Sequence, residues 1–339
     1  MLANVFLIER KHVSLTKNIM FTYILYTMIG ATLVLVGADK LTDGAVGMAS
    51  RFGISEMVIG LTIVAFGTSL PEFIVSLLAC ISNDVSATAL SASNIVGSNL
   101  FNTLVIAGAS AAISPIVISK STVQKDIPLC ILASIVLSSV ALDTLLSGGE
   151  TNMLTRGDGI VLLCFFAIFM AYSFSLAKQK ETCKTTTQMS AIRIALFVIL
   201  GLGALIGGGE LFVEGACGIA RSAGVSEAVI GLTLVAGGTS LPELATSIVA
   251  ARKGQSALAI GNVVGSNIFN IFYILGVCAS VKPLAVTGLT IVDFTVLTAS
   301  SLLFWLFSRS SYKLSRWEGW TMILAYALYL GWLIINKNV

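Results

Sequence analysis

Gly60–Glu72 reads GLTIVAFGTSLPE, and Gly231–Glu243 reads GLTLVAGGTSLPE. The two stretches lie 171 residues apart (60 to 231). The same offset relates Ile54-Ser55-Glu56 to Val225-Ser226-Glu227, and Asp39 and Asp43 to Glu210 and Glu214. A second block follows in each half. Ser93–Asn102 is SNIVGSNLFN and Gly261–Asn270 is GNVVGSNIFN, now 168 residues apart (102 to 270). The second half has therefore lost three residues between its blocks. Two such blocks in the same order mark an internal duplication.

The surroundings of these blocks are apolar. Of 339 residues, 56% are hydrophobic and 11% charged, and the mean hydropathy is +0.95. Soluble domains carry about 25% charged residues, so the expected solvent is lipid. The net charge of +3 and the scatter of basic residues over short loops exclude the basic footprint of a nucleic-acid binder.

Stretches of about 20 apolar residues cross a bilayer core. Ten are expected: Met20–Ala49, Glu56–Ile81, Ser86–Ile113, Ile127–Leu145, Gly159–Leu176, Ile192–Ala220, Glu227–Ala251, Ala257–Ser280, Leu289–Phe307 and Trp317–Ile335. Hydrocarbon offers the backbone no hydrogen-bond partners, so these should be helices. The organisation expected is a prefix 1–19, a first five-helix repeat 20–176, a polar linker 177–191 and a second five-helix repeat 192–339. Met20, where the first apolar run begins, is an alternative start, and the residues before it lack a small-residue cleavage site. Five spans is an odd number, so the second half enters from the opposite side. The expected fold is an all-α membrane protein of two inverted repeats, an architecture associated with alternating-access carriers.

Basic residues set the expected orientation. Arg51, Lys120, Lys125, Lys178, Lys180, Lys184, Arg193, Arg252, Lys253, Arg309, Lys313 and Arg316 fall on one side. Arg156, Arg221, Lys282 and Lys337 fall on the other, with Arg10, Lys11 and Lys17 of the prefix. The larger set places the central loop in the cytoplasm and both termini outside.

The six cysteines include no CxxC. Cys80, Cys130, Cys164, Cys217 and Cys278 lie in apolar runs, where a thiol acts as a small hydrophobe. Cys183 sits in the polar linker. The single histidine, His12, lies in the prefix, which removes most metalloenzyme and Ser/His chemistry. No enzyme activity, cofactor or obligatory protein partner is expected.

The repeated blocks carry the candidate chemistry. Proline and glycine inside a span weaken its hydrogen-bond ladder, so Gly67, Pro71, Gly237, Gly238 and Pro242 should break or kink both helices. The freed carbonyls, the Thr and Ser hydroxyls and a carboxylate are hard oxygen ligands suited to Na⁺, Ca²⁺ or Mg²⁺. Thr68 and Glu72 are four apart and share a helix face, with Ser69 alongside. Ser98 and Asn102 repeat that spacing, as do Ser266 and Asn270. Gly97 and Gly265 permit close helix approach. An ionisable side chain deep in a span costs at least ~2.5–3.5 kcal/mol, which makes Glu72 and Glu243 functional candidates. Two ionised glutamates are balanced by one Ca²⁺, two Na⁺ or two protons, and competition among these builds an exchanger. Asp39, Asp43, Glu210 and Glu214 are expected to line entry vestibules or to pair with Lys40.

With these motifs the chain resembles the prokaryotic sodium/calcium exchangers of the cation/calcium exchanger superfamily, over essentially the whole membrane domain. The resemblance implies ten helices, an ion-binding core from the second, third, seventh and eighth, and long first and sixth helices that slide against it. It implies that Glu72 and Glu243 bind Ca²⁺, joined by Thr68, Ser69, Thr239 and Ser240. The carbonyls of Ala65 and Ala236 would serve Na⁺, and Ser98, Asn102, Ser266 and Asn270 would complete the cluster. Asn270 stands where some relatives, potassium-dependent ones among them, have Asp, which weakens any case for K⁺. The linker, about a dozen residues, is too short for the regulatory Ca²⁺-binding domains of animal exchangers.

The function implied is Na⁺-driven Ca²⁺ export across the cytoplasmic membrane. H⁺/Ca²⁺ exchange, or exchange of another divalent ion, through the same glutamates is the alternative. An intramembrane acid protease and a channel are the competing classes. The first lacks the expected Asp pair, and the second predicts uncoupled flux.

Overall fold

The computed structural model describes residues 2–81, 85–146, 148, 151–177, 189–225, 230, 234 and 236–336, with the backbone alone at 2–19, 85–87 and 236. Helix α1 (Leu2–Phe52) runs unbroken from the prefix into the apolar stretch Met20–Phe52. It stops at Gly53, whose φ of +64° is the left-handed conformation that ends helices. Gly224, 171 residues on (53 to 224), takes a φ of +83° after the long helix of the second half. Next come α2 (Glu56–Thr68) and α3 (Leu70–Ile81), bent by 48° at their junction. The rest are α4 (Thr88–Ile113), α5 (Thr122–Ala141), α6 (Arg156–Ala177), α7 (Ala191–Ser222), α8 (Leu241–Arg252), α9 (Ser256–Val281), α10 (Ile291–Ser311) and α11 (Arg316–Asn336). Among the described residues eight helices are long and apolar enough to span a membrane, or nine when the bent pair α2–α3 is taken as one.

Two expected spans differ. The fourth begins at Thr122 rather than Ile127 because the Ser119 hydroxyl accepts the Thr122 N–H at 3.1 Å and starts the helix earlier. It ends at Ala141, and Asp143–Leu146 forms a separate turn of helix. The seventh, Glu227–Ala251, lies partly outside the described residues, as do Cys183 and most of the linker.

Glycines set the closest packing. Gly30, Gly37 and Gly44 on α1, and Gly201, Gly208 and Gly215 on α7, recur every seven residues and so share one face of each helix. A Cβ at Gly37 would lie 2.8 Å from the Gly201 carbonyl oxygen, and one at Gly201 2.8 Å from the Leu41 nitrogen. The backbones of α1 and α7 therefore touch. Helices α2 and α9 meet likewise: a Cβ at Gly261 would lie 2.7 Å from the Met57 oxygen, and one at Gly265 2.6 Å from the Leu61 oxygen. Gly97 differs from Gly265, since its Cβ direction meets none of the described residues.

Helices α4 and α9 are the most enclosed spans, whereas α6 and α11 turn Ile160, Ile168, Trp320 and Leu328 outward, as lipid-facing helices do. A tyrosine ties each of these rim helices inward. Tyr172 on α6 donates to Asp126 on α5 at 2.7 Å, and Tyr329 on α11 donates to Asp293 on α10 at 2.6 Å. Four two-residue strands join the halves. β1 (Ile116–Val117) pairs antiparallel with β4 (Lys313–Leu314), and β2 (Met153–Leu154) with β3 (Leu284–Ala285). Ser134 and Ser301, 167 residues apart, face each other at 3.3 Å.

The basic residues gather at two ends. Arg51 bonds the Met189 carbonyl, Lys253 pairs with Asp43, and Arg316 bonds the Ile113 carbonyl near the β1–β4 pair. At the opposite end Arg156 bonds the Val281 carbonyl.

Candidate ion site

The breaks in the repeated blocks fall before the prolines. Ser69 leaves the helical conformation (φ −81°, ψ 6°), as does Ser240 (φ −89°, ψ 8°). Pro71 and Pro242 occupy the first turns of α3 and α8, where a missing N–H costs nothing. The prolines thus start the second half-helix instead of kinking a continuous one. Glu72 and Glu243 fall in those same first turns, at the positive end of each helix dipole, which favours a carboxylate.

Both glutamates are buried, 0% and 1% exposed. Each is held by the other half's serine. Ser69 donates to Glu243 Oε1 at 2.9 Å, and Ser240 donates to Glu72 Oε1 at 2.9 Å. The Oε2 atom of each carboxylate is buried without a protein partner, and no basic side chain among the described residues pairs with either.

The other expected ligands surround this pair. Thr68 is buried, its hydroxyl 3.1 Å from the Val64 oxygen and 3.2 Å from Asn262 Oδ1. Ser98 and Ser266 have buried hydroxyls without protein partners, and Asn102 has both amide atoms in that condition. Asn270 donates to Asn99 Oδ1 at 2.9 Å and keeps its own Oδ1 unpartnered. Asn102 and Asn270 each sit in a wide π-type turn, Phe101–Ile106 and Phe269–Leu275, a distortion frequent at functional sites. The Ala65 carbonyl is not free, since it accepts the Ser69 N–H at 3.0 Å and lies 3.4 Å from the Thr68 hydroxyl. Ala236 opens a short helical stretch, Ala236–Gly238, followed by the Thr239-Ser240 turn.

Sequence reasoning missed a set of amides and hydroxyls. Asn262 donates to the Glu243 carbonyl at 3.3 Å and to Ser247 at 3.0 Å, while its Oδ1 faces Thr68. Its repeat equivalent, Asn94, donates to Ser76 at 3.3 Å. Asn99 donates to the Asn267 carbonyl at 3.1 Å, and Asn267 to Thr103 at 2.8 Å. The signal was present, because Asn94 and Asn99 recur as Asn262 and Asn267 within the second block.

The acids of α1 and α7 differ in their surroundings. Lys253 Nζ lies 2.6 Å from carboxylate oxygens of both Asp39 and Asp43, and Lys40 lies 3.0 Å from Asp39. Glu210 and Glu214 instead line a cavity of about 350 Å³ between α7 and α3, together with Pro71, Ile74, Thr239 and Pro242. This cavity leads from the two acids to the Thr239 turn.

Buried polar atoms are almost always hydrogen-bonded. Two carboxylate oxygens, two serine hydroxyls and three amide atoms without partners are therefore unusual in one packed core, and they match a hard cation as cargo. Among the described residues no three His, Cys, Asp or Glu side chains cluster as a soft-metal site would require. Of the described cysteines, Cys164 is exposed on α6 and Cys80, Cys130, Cys217 and Cys278 are buried.

Known proteins resemble this chain over most of its length. The sodium/calcium exchanger protein family model matches residues 22–175 and 193–335. The putative antiporter CaxA of Alkalimonas amylolytica is 34% identical over 318 residues, covering 90% of this chain and 96% of its own. The sodium/calcium exchanger MaX1 of Methanosarcina acetivorans is 30% identical over 341 residues, covering 90% and 97%. The solved sodium-calcium exchanger NCX_Mj superposes with a TM-score of 0.78 at 34% identity, covering 92% of this chain and 98% of that one. With its duplicated blocks and its crossed serine–glutamate pairs, the chain belongs to the sodium/calcium exchanger family of integral membrane cation exchangers.

Proposed function

We propose that the protein exchanges Na⁺ for Ca²⁺ across the cytoplasmic membrane by alternating access, with Na⁺ entry driving Ca²⁺ export. The observation that carries this is the crossed pair Ser69–Glu243 and Ser240–Glu72. It brings two carboxylates from opposite halves to one place without a basic partner. Their formal charge of −2 is neutralised by one Ca²⁺ or by two Na⁺, and both sets together do not fit. An empty, doubly charged site in low dielectric is costly to move, which penalises leak and couples the ions.

Twelve residues are assigned to the cations: Glu72 and Glu243 to Ca²⁺, Thr68, Ser69, Thr239 and Ser240 beside them, the carbonyls of Ala65 and Ala236 for Na⁺, and Ser98, Asn102, Ser266 and Asn270 completing the cluster. The architecture assigned is ten helices in two inverted five-helix repeats. Support comes from the pairing of β1 with β4 and of β2 with β3, each of which joins the loop after α4 or α9 in one half to the loop before the last helix of the other. The central loop is assigned to the cytoplasm and both termini to the outside.

The test is Ca²⁺ flux in proteoliposomes under imposed Na⁺, K⁺ and H⁺ gradients. A response to Na⁺ alone is expected. Flux that follows the pH gradient and ignores Na⁺ would instead establish H⁺/Ca²⁺ exchange. That second reading is favoured by the single neutral donor on each glutamate, which leaves one oxygen open to a proton.

A further inference from the structure

We propose that Lys253 is a positioning residue of the transport cycle, a strap that holds α1 against the α8–α9 corner while the route between α3 and α7 stands open. The proposal rests on the exchanger reading above.

Lys253 follows α8 and reaches across to α1. Its ammonium lies 2.6 Å from Asp39 Oδ1 and 2.6 Å from Asp43 Oδ1, and donates to the Asp39 carbonyl at 3.1 Å. Two residues on, Gln255, with its amide turned to donate, meets both Glu56 oxygens at 2.6 and 2.8 Å. One corner is thus fastened to α1 and to the start of α2. On this side α1 packs directly along α8.

The other half is arranged differently. By the 171-residue offset, Glu210 and Glu214 on α7 correspond to Asp39 and Asp43, and α3 corresponds to α8. Between α7 and α3 lies the 350 Å³ cavity instead of a packed contact. Among the described residues neither Glu210 nor Glu214 makes an ion pair. The sequence explains why: no Lys or Arg occurs between Arg51 and Lys120, so the α3–α4 corner has no cation to offer. Among the described residues the strap exists on one side only.

A one-sided strap biases a two-sided equilibrium. Opening a route between α1 and α8, the counterpart of the α3–α7 route, pulls Asp39 and Asp43 away from Lys253. Partly exposed pairs of this kind are worth little individually, so the expected bias is about two- to five-fold in population.

The repeat supplies matched reporters. Val75 lines the open cavity, and Thr246, its equivalent at the same offset, is buried. In a background with the native cysteines replaced, the Val75→Cys and Thr246→Cys probes are labelled with a thiol reagent in membranes, with and without Lys253→Gln. The expected result is about two- to five-fold slower labelling at 75 and faster labelling at 246, with both rates restored by Lys253→Arg. Unchanged rates, or rates that move in the same direction, overturn the proposal; the second pattern marks a merely loosened fold. Labelling needs no transport, so failure of the strap is separable from failure of the exchanger reading. Coupled flux that persists after Glu72→Gln sinks only the latter.

Discussion

Glu72 and Glu243 each receive one serine hydroxyl from the opposite half and leave one oxygen unpartnered. Glutamine keeps the shape and removes the charge. Glu72→Gln and Glu243→Gln should therefore each abolish coupled Ca²⁺ flux while leaving the purified protein folded, since a neutral amide is cheaper to bury than a carboxylate. Ser69→Ala and Ser240→Ala remove a hydrogen bond to a charged group, and each should weaken Ca²⁺ binding by about 1.5 kcal/mol, roughly tenfold, in a titration of the detergent-solubilised protein. The glutamates were legible in the sequence because an acid inside an apolar run is expensive and needs a reason. Asn262 was not, although it stands in the repeated block Gly261–Asn270. A neutral amide among small residues resembles ordinary helix packing until its partners Thr68, Ser247 and the Glu243 carbonyl are seen. Asn262→Leu should cost about 1–3 kcal/mol of stability through the partners left unsatisfied, read as a lowered melting midpoint.

At the scale of elements, glycine placement matters more than glycine content. The backbones of α2 and α9 meet at Gly261 and Gly265, whereas Gly203 on α7 has nothing within 4 Å of its Cβ direction. Gly265→Ala should destabilise the protein by about 1–3 kcal/mol through overpacking. Gly203→Ala should leave stability unchanged or raise it, because alanine is the better helix former by about 1 kcal/mol. Paired thermal melts would distinguish them, and equal melting midpoints would refute the packing assignment. Only part of this was readable beforehand. The break in each repeated block followed from its Gly and Pro content, but its position at Ser69 and Ser240 did not. Proline tolerates the first turn of a helix as readily as it disrupts the middle, and sequence alone does not say which turn it occupies. The close approach at Gly265 was anticipated, and an equal one at Gly97 was not found among the described residues.

Across the whole molecule, each half finds its closest ties in the other. Strand pairing crosses between them twice, the glutamates take serines from the opposite repeat, and Ser134 meets Ser301, 167 residues later, the same offset that relates the tyrosine-bound Asp126 and Asp293 on these two helices. A residue that packs against its own equivalent is the mark of an isologous dimer interface. Here the two partners are joined in one chain. The peptide between Ala177 and Met189 connects halves that already hold each other through these contacts. Co-expressed pieces cut in that stretch, residues 1–180 and 188–339, should therefore reassemble and copurify through a tag on either one. The self-facing serines carry the same history further back: the ancestral half would have met a second copy of itself along this surface before the gene was doubled.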